Sequence, residues 1–171
     1  MLTWVYAVKA CAHHSHGVPV RVGRATTQCP FVGCAIHTDR LKAVLPAEVH
    51  VDTLHELERV PELRQKAPAV WVIYDGYTAG ASIPNQPTIH QIVQEWAIVI
   101  QTRSARGNGS TDAARDEASD LCDTVIGALL GYSLGAGKPL HLREAAGPEY
   151  DAGYCFVPLA FSSAATFRAT P

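Results

Sequence analysis

The chain has 171 residues, which suits one domain that buries a real core. Its formal net charge of −2 at pH 7 gives no whole-chain attraction to nucleic acid or to anionic membranes. No apolar run approaches the roughly 20 residues that a membrane-spanning helix needs. The five cysteines lack the spacing of a secreted disulfide framework, and no basic leader precedes the apolar N-terminal stretch, so we expect a cytoplasmic chain without a signal peptide.

Residues 1–30 differ in composition from the rest of the chain. They hold three of the eight histidines and two of the five cysteines, and no amphipathic period runs through them. We predict an N-terminal extension over residues 1–30, with a short helix near Leu2–Ala12 and an extended piece at Val18–Val22. A single domain over residues 31–165 and a C-terminal tail over residues 166–171 are expected to follow.

The first part of the predicted domain contains short elements. Apolar residues at helical spacing predict a helix from Phe31 to Leu45, which Pro46 ends. Val49–Val51 is predicted to be a short strand. Asp52 or Thr53 is the predicted cap of a short helix that reaches Val60, and Leu63–Gln65 is expected to add another turn.

Two strands are predicted in the middle of the chain. Ala69–Tyr74 is rich in β-branched and aromatic residues, and Asp75-Gly76 is expected to end this strand with a turn. Tyr77–Pro87, with its glycine and prolines, is predicted to be a surface loop. Thr88–Arg103 is predicted to be a long interior strand, because both of its faces are mostly apolar at the centre. One predicted face carries Trp96, Ile98, Ile100 and Thr102.

The helix Asp112–Leu130 is predicted from an apolar stripe at i, i+3, i+4 spacing, with acidic residues in its first turns and Gly131 just beyond its end. Leu140 and Leu142 indicate a short strand. Tyr150–Phe161 is predicted to be the last strand, in which Pro158 implies an edge position or a bulge. The ten residues after it are expected to fray.

The order of these elements predicts the fold class. Consecutive strands without a helix between them favour antiparallel pairing. We therefore expect an α+β fold with a mainly antiparallel sheet, on which one long helix and shorter helices pack.

The N-terminal extension contains the strongest candidate for a metal site. Cys11, His13, His14, His16 and Cys29 offer the thiolate and imidazole ligands that zinc prefers. Their spacing does not fit a zinc knuckle, so an incidental histidine-rich extension is the competing interpretation. A zinc-binding module or small zinc enzyme is the alternative function that this cluster leaves open.

The rest of the chain contains no recognisable catalytic set. It lacks a P-loop and a dinucleotide fingerprint, and its G-x-S-x-G stretch, Gly131–Gly135, follows a predicted helix and not the strand that a nucleophile elbow needs, so we predict a protein that is not an enzyme and needs no cofactor. Arg103, Arg106 and Arg115 surround a polar loop, either as solvated residues or as a contact for an acidic partner. Tyr77 and Tyr132, next to glycines at the ends of elements, are candidate interface anchors.

Four pieces of the sequence together resemble the tail terminator (tail completion) proteins of long-tailed bacteriophages, in particular the Mu-like group. They are Ala67–Gly76, Trp96–Arg103, the helix end Ala128–Tyr132 and Tyr150–Ser162, in an order and spacing similar to the family's. The resemblance implies a non-enzymatic α+β protein that forms a homohexameric ring on the head-proximal end of the tail tube, stops tube polymerisation and provides the surface to which the head docks.

The resemblance also implies partners and contact regions. The partners would be other copies of the chain, the tail tube protein, a head-side connector protein and genomic DNA that passes through the lumen without sequence-specific binding. The protein would be assembled in the host cytoplasm, act in the virion and need no membrane. The loops Tyr77–Pro87 and Ser104–Ser110 would make ring or tube contacts. The candidate interface residues are Tyr77, Arg103, Arg106, Asn108 and Tyr132.

Another phage neck or tube component of similar fold is an open alternative to the tail terminator. Such proteins share their architecture without sharing a position in the particle.

Overall fold

The computed structural model describes residues 30–54, 63–82, 89–104, 112–133 and 138–168. Two helices and six strands lie in these ranges. The helices are α1 (Pro30–Val44) and α2 (Asp112–Leu129). The strands are β1 (His50–Leu54), β2 (Ala69–Ser82), β3 (Ile89–Arg103), β4 (His141–Arg143), β5 (Glu149–Asp151) and β6 (Tyr154–Arg168). Neither helix in the described ranges is long and apolar enough to cross a membrane.

All six strands form one sheet in the order β1-β2-β3-β6-β4, and β5 also pairs with β6. The pairs β2–β3, β3–β6, β4–β6 and β5–β6 are antiparallel. The edge strand β1 is parallel to β2. The long strand β3 therefore lies inside the sheet, as its two apolar faces predicted.

Both helices pack on one face of the sheet, which we call the helix face. On β3 this face carries Trp96, Ile98 and Ile100, which are almost completely buried beneath the helices. The alternation of side chains along a strand explains why every second residue belongs to this core. The predicted placement of these three residues on one face of β3 is thus confirmed.

Helix α2 has the bounds and the buried stripe that its sequence predicted. Its buried residues are Ala114, Ala118, Leu121, Val125, Ala128 and Leu129. The Thr102 hydroxyl donates a hydrogen bond to the carbonyl oxygen of Ala114, which ties β3 to the first turns of α2. Gly131 has a φ of 75°, the left-handed conformation of a helix C-cap, so its position after the helix is explained.

Helix α1 has nearly the predicted bounds and is joined to α2. Leu41 and Leu45, at its end and just after it, contribute to the core of the helix face. The Arg40 guanidinium lies 3.4 Å from the carbonyl oxygen of Ala128 and 5.4 Å from the centre of the Tyr132 ring. These contacts hold the C-terminal ends of the two helices together.

The opposite face of the sheet, which we call the open face, carries a smaller cluster. Trp71, Ile73 and Val99 are buried there. The Trp71 indole N–H donates a hydrogen bond of 3.0 Å to the side-chain oxygen of Gln101. The Gln101 amide donates in turn to the carbonyl oxygen of Arg64, at 3.1 Å, in a short 3₁₀ turn over residues 63–66. A buried glutamine therefore anchors this turn to the open face.

The predicted helix after Val51 is wrong at its start. Residues 52–54 continue β1, in parallel register with β2, so Asp52 and Thr53 do not cap a helix there. The side chain of Asp52 accepts a hydrogen bond from the Thr53 backbone N–H at 2.8 Å. The remainder of that predicted helix lies outside the described residues. The turn predicted at Leu63–Gln65 is confirmed.

The predicted end of β2 at Asp75-Gly76 is also wrong. The pairing with β3 shifts between Tyr74 and Gly76, and β2 then continues to Ser82. The turn residues instead form a β-bulge, with Gly76 at a φ of 102°, a conformation that glycine accepts readily. Residues 77–82 are therefore strand and not surface loop, while residues 83–87 lie outside the described part.

The predicted strand Tyr150–Phe161 is two strands. Ala152 and Gly153 have positive φ values of 48° and 83° and turn the chain between β5 and β6. β6 then pairs with β3 without a register shift as far as Arg168, so the predicted fraying of residues 162–168 is wrong. Pro158 lies in the stretch of β6 between its pairings with β5 and β4, which agrees with an edge position.

The fold class is confirmed in its main feature, a mixed α and β fold with a mostly antiparallel sheet. The prediction of one long helix with several shorter ones is not confirmed, because α1 has 15 residues and α2 has 18 in the described part. The predicted boundaries of the extension, the domain and the tail stay a prediction, although β6 includes residues 166–168.

Candidate assembly surfaces

The described part of the chain offers no metal or nucleophile centre. No group of three or more His, Cys, Asp or Glu side chains lies close enough there to hold a metal ion. Burial raises the pKa of the Cys122 thiol to about 11 and also raises the pKa of Cys155. Both thiols are therefore protonated at neutral pH, whereas a cysteine nucleophile needs its thiolate.

A surface groove of about 440 Å³ lies between the end of α1 and β1 and is lined by Lys42 and residues 45–52. In this groove the ring nitrogen Nε2 of His50 lies 3.7 Å from the carboxylate oxygen Oδ2 of Asp52. The lining residues include no hydroxyl or thiol that such a pair could activate as a nucleophile. Desolvation and the nearby Lys66 lower the pKa of His50, so its contact with Asp52 is an ion pair only when the ring is protonated.

The predicted zinc ligands Cys11, His13, His14, His16 and Cys29 lie outside the described residues. Downstream of them, His37 is buried in α1 with 1% of its surface exposed, and its ring meets the Trp96 ring edge-on at 5.0 Å. Desolvation lowers the pKa of His37 to about 4. His37 is thus part of the core.

Three of the five candidate interface residues lie in the described part, at separate places. Tyr77 is 61% exposed on β2, beyond the bulge and on the helix face, opposite Gln94 of β3. Arg103 is exposed at the end of β3, and Tyr132 is half-buried next to Arg40. Arg106 and Asn108 lie outside the described residues.

Beyond the bulge the three central strands continue as a ribbon, which comprises residues 76–82, 89–94 and 162–167. The sequence of the ribbon contains no Asp, Glu, Lys or Arg, and charged residues lie at its two ends: Glu95, which pairs with Gly76 and Ser162, and Arg168, which pairs with Ile89. The strands approach closely there, since a Cβ atom on Gly80 would lie 2.9 Å from the carbonyl oxygen of Gln91. Tyr77 is the large exposed hydrophobic residue of the ribbon.

At the other end of the sheet, the open face carries three cations on aromatic rings, which we call the basic strip: Arg64, Lys66 and Arg103. The guanidiniums of Arg64 and Arg103 lie 5.6 Å and 5.5 Å from the centre of the Tyr154 ring. The Lys66 ammonium lies 5.5 Å from the Trp71 ring. Contacts of this kind orient cations while leaving their charge available.

The sequence did not single out Arg64, Lys66 or Tyr154 as site residues. Arg64 forms an ion pair with Asp151, and this pair exists because the turn at residues 63–66 and the β5–β6 hairpin meet over the open face. In the sequence, the glycine in Asp151-Ala-Gly-Tyr154 is the feature that indicates a tight turn between two strands at this place.

On the helix side of the molecule, α2 exposes Asp112, Asp116, Asp120 and Asp123, which we call the acidic stripe. Intervals of four, four and three residues place these carboxylates along one side of a helix. The buried residues of α2 occupy the opposite side. The stripe therefore points away from the sheet.

The phage tail terminator protein family matches residues 30–171 of this chain. The chain belongs to this family. No curated protein matches the chain. A solved structure described as "Virion of native gene transfer agent (GTA) particle" is similar to it, with a TM-score of 0.43 and 18% identity, over 75% of this chain and 84% of the other. Similarity at that level supports no argument about this chain.

The family match confirms the resemblance found in the sequence and gives the chain a structural role in a phage tail, as part of the virion. It begins at residue 30, so the histidine-rich extension lies before it. The family is one of structural phage proteins.

Proposed function

We propose that the chain forms a homohexameric ring that caps the head-proximal end of the tail tube, ends its polymerisation and provides the surface that joins the head. The observation that carries this proposal is the tail terminator family match over residues 30–171. In this proposal the other partners are the tube protein, a head-side connector and genomic DNA, which passes through the lumen without sequence-specific contacts. The ring assembles in the host cytoplasm.

Two features of the surface support a role in assembly. The uncharged ribbon presents the exposed Tyr77, and the basic strip presents the exposed Arg103, at opposite ends of the sheet. Large aromatic and arginine side chains are enriched in protein interfaces. We assign Tyr77, Arg103 and Tyr132 to contacts, with Arg106 and Asn108 in the adjoining segment.

The test begins with the purified protein, by light scattering and negative-stain electron microscopy, alone and with tail tubes. Rings of six copies at one end of the tube are the expected result. In infected cells that lack the protein, we expect tails of irregular length that carry no heads. Headless tails of normal length would instead show a joining protein that does not end polymerisation.

Deleting residues 1–28 separates this function from the zinc alternative. The truncated chain retains the whole region of the family match, so it should still form rings. Loss of bound zinc together with loss of folding would favour the zinc-binding module. Labelling of the protein in intact particles then decides between a terminator and another neck or tube component.

A further inference from the structure

The basic strip is a cationic surface whose charges are not all neutralised within the described part of the chain. Arg64 pairs with Asp151, whereas Arg103 is exposed and makes no ion pair with a described residue. Its guanidinium is instead held over the Tyr154 ring, which itself stacks on Phe156 with centroids 6.3 Å apart. An arginine positioned in this way loses little further freedom when a carboxylate binds it.

The acidic stripe on α2 has the complementary charge. Arg115 is the single basic residue of α2, and its guanidinium lies 3.6 Å from the carboxylate of Asp116. Asp120 and Asp123 make no ion pair in the described part of the chain. Like charges at i, i+4 destabilise a helix, and aspartate is a poor helix former. Asp112 lies in the first turn, where the helix dipole favours a negative charge, so the repulsion concerns Asp116, Asp120 and Asp123, and an opposite charge would compensate for it.

The two surfaces lie on opposite sides of the sheet, because α2 packs on the helix face and the basic strip lies on the open face. The acidic stripe cannot reach the basic strip of its own chain. A contact between the stripe of one copy and the strip of the next joins two different surfaces. Such a contact is heterologous, the type from which rings are built.

We infer that the acidic stripe of one copy docks on the basic strip of its neighbour and forms the subunit contact of the ring. This inference rests on the proposed function, which supplies the ring. The occupant of the basic strip is thus a second copy of this chain, selected by charge complementarity: aspartates at four-residue spacing meet arginine and lysine side chains held on aromatic rings.

Two charge-reversal variants test the contact. One carries R103E and K66E in the strip, and the other carries D116K and D120K in the stripe. Each variant alone should lose rings and show a self-association constant weaker by at least about tenfold, because like charges then face each other. The matched controls K138E and E144K reverse exposed charges outside both surfaces and should form rings like the original chain. Circular dichroism verifies that every variant is folded.

An equal mixture of the two variants gives the decisive result. Every contact in an alternating ring then joins opposite charges, so mixing should restore assembly that neither variant shows alone. Such a ring closes only with an even number of subunits, and native mass spectrometry should find three copies of each variant in a hexamer. Failure of the mixture to assemble would overturn the inference, as would normal rings from either variant alone.

The outcomes also separate this inference from the proposed function. Rings of the original chain together with rings of both variants would refute the contact and leave the ring in place. Absence of rings for the original chain, with and without tubes, would refute both. If R103E/K66E keeps its rings but loses salt-dependent binding of a duplex DNA probe, the basic strip serves nucleic acid and the inference is wrong.

Discussion

His37 should make this protein sensitive to mild acid. Its imidazole is almost completely buried, and neither ring nitrogen has a hydrogen-bond partner among the described residues. Burial lowers the pKa from 6.5 to about 4 because the core disfavours the charged ring. Between these values the unfolded chain binds a proton that the folded chain does not. Stability is therefore fully present above pH 6.5, falls as the pH drops towards 4 and stays constant below it.

The size of the effect follows from the shift. The difference between the pKa of His37 in the unfolded and the folded chain lowers the free energy of unfolding by about 3 kcal/mol between pH 7 and pH 4, at about 1.4 kcal/mol for each pKa unit. His37→Leu should remove this pH dependence. It should also raise the free energy of unfolding at pH 7 by about 1 kcal/mol, because an unsatisfied polar ring leaves the core. Urea titrations from pH 7.5 to 4, followed by tryptophan fluorescence, give the free energy of unfolding of both proteins.

The difference between the two proteins isolates His37, because carboxylates that titrate in the same range contribute equally to both. Among them is Asp75, whose pKa is raised by burial and by Glu95 and whose contribution has the opposite sign. His50→Gln is the matched control. The pKa of His50 is also lowered, but 37% of its side chain is exposed, so a smaller change is expected. Equal losses of stability on acidification for the original protein and His37→Leu would refute the reasoning.

Three further substitutions test local features. Gly127→Ala, at an exposed position in the last turn of α2 with free space around the new Cβ, should stabilise the protein by up to about 1 kcal/mol in thermal unfolding. Gly131→Ala has the same free space but a φ of 75°, so it should destabilise by about 1 kcal/mol; a shift of the same sign in both variants would contradict the cap. Gln101→Leu leaves the indole N–H of Trp71 without its buried acceptor and should cost about 1–3 kcal/mol, whereas an unchanged urea midpoint would show that this bond contributes nothing.

The elements that the sequence predicted well are those whose pattern repeats over many residues. The buried apolar residues of α2 recur over the five turns of the helix. The side chains of β3 alternate between the two faces of the sheet over fifteen residues, and apolar residues lie on both faces at its centre. In such elements one ambiguous position does not change the assignment. The bulge at Asp75-Gly76 misled the prediction because the same residues end a strand or interrupt it, and the choice depends on whether β3 supplies a partner beyond them.

The ends of β1 and β6 depended on the same kind of partner. Residues 52–54 carry a helix-capping pattern, but parallel pairing with β2 holds them in a strand. Residues 162–166 are all small, yet β3 pairs with every residue from 162 to 168. Propensity alone predicted a helix and a tail at these two places because the pairing that decides them is not local in the sequence.

The candidate site was predictable only where a single residue had a signal of its own. Tyr77 and Arg103 stood out as an aromatic and a cation at the ends of predicted elements, and both are exposed. Arg64 and Lys66 had no such signal, because their role depends on the rings beneath them, which come from strands far along the chain. A surface made by several elements is therefore found only after the sheet order is known.

The placement of charge on the two sides of the sheet constrains how copies can associate. A two-fold dimer joins the same surface of both copies, so acidic stripes or basic strips would face each other and repel. Head-to-tail contact brings opposite charges together, and neither of the two charged surfaces includes a residue of the ribbon. One pair of charged surfaces thus favours directional assembly, and the ribbon with Tyr77 remains available for a different partner, such as the tube that the ring is proposed to cap.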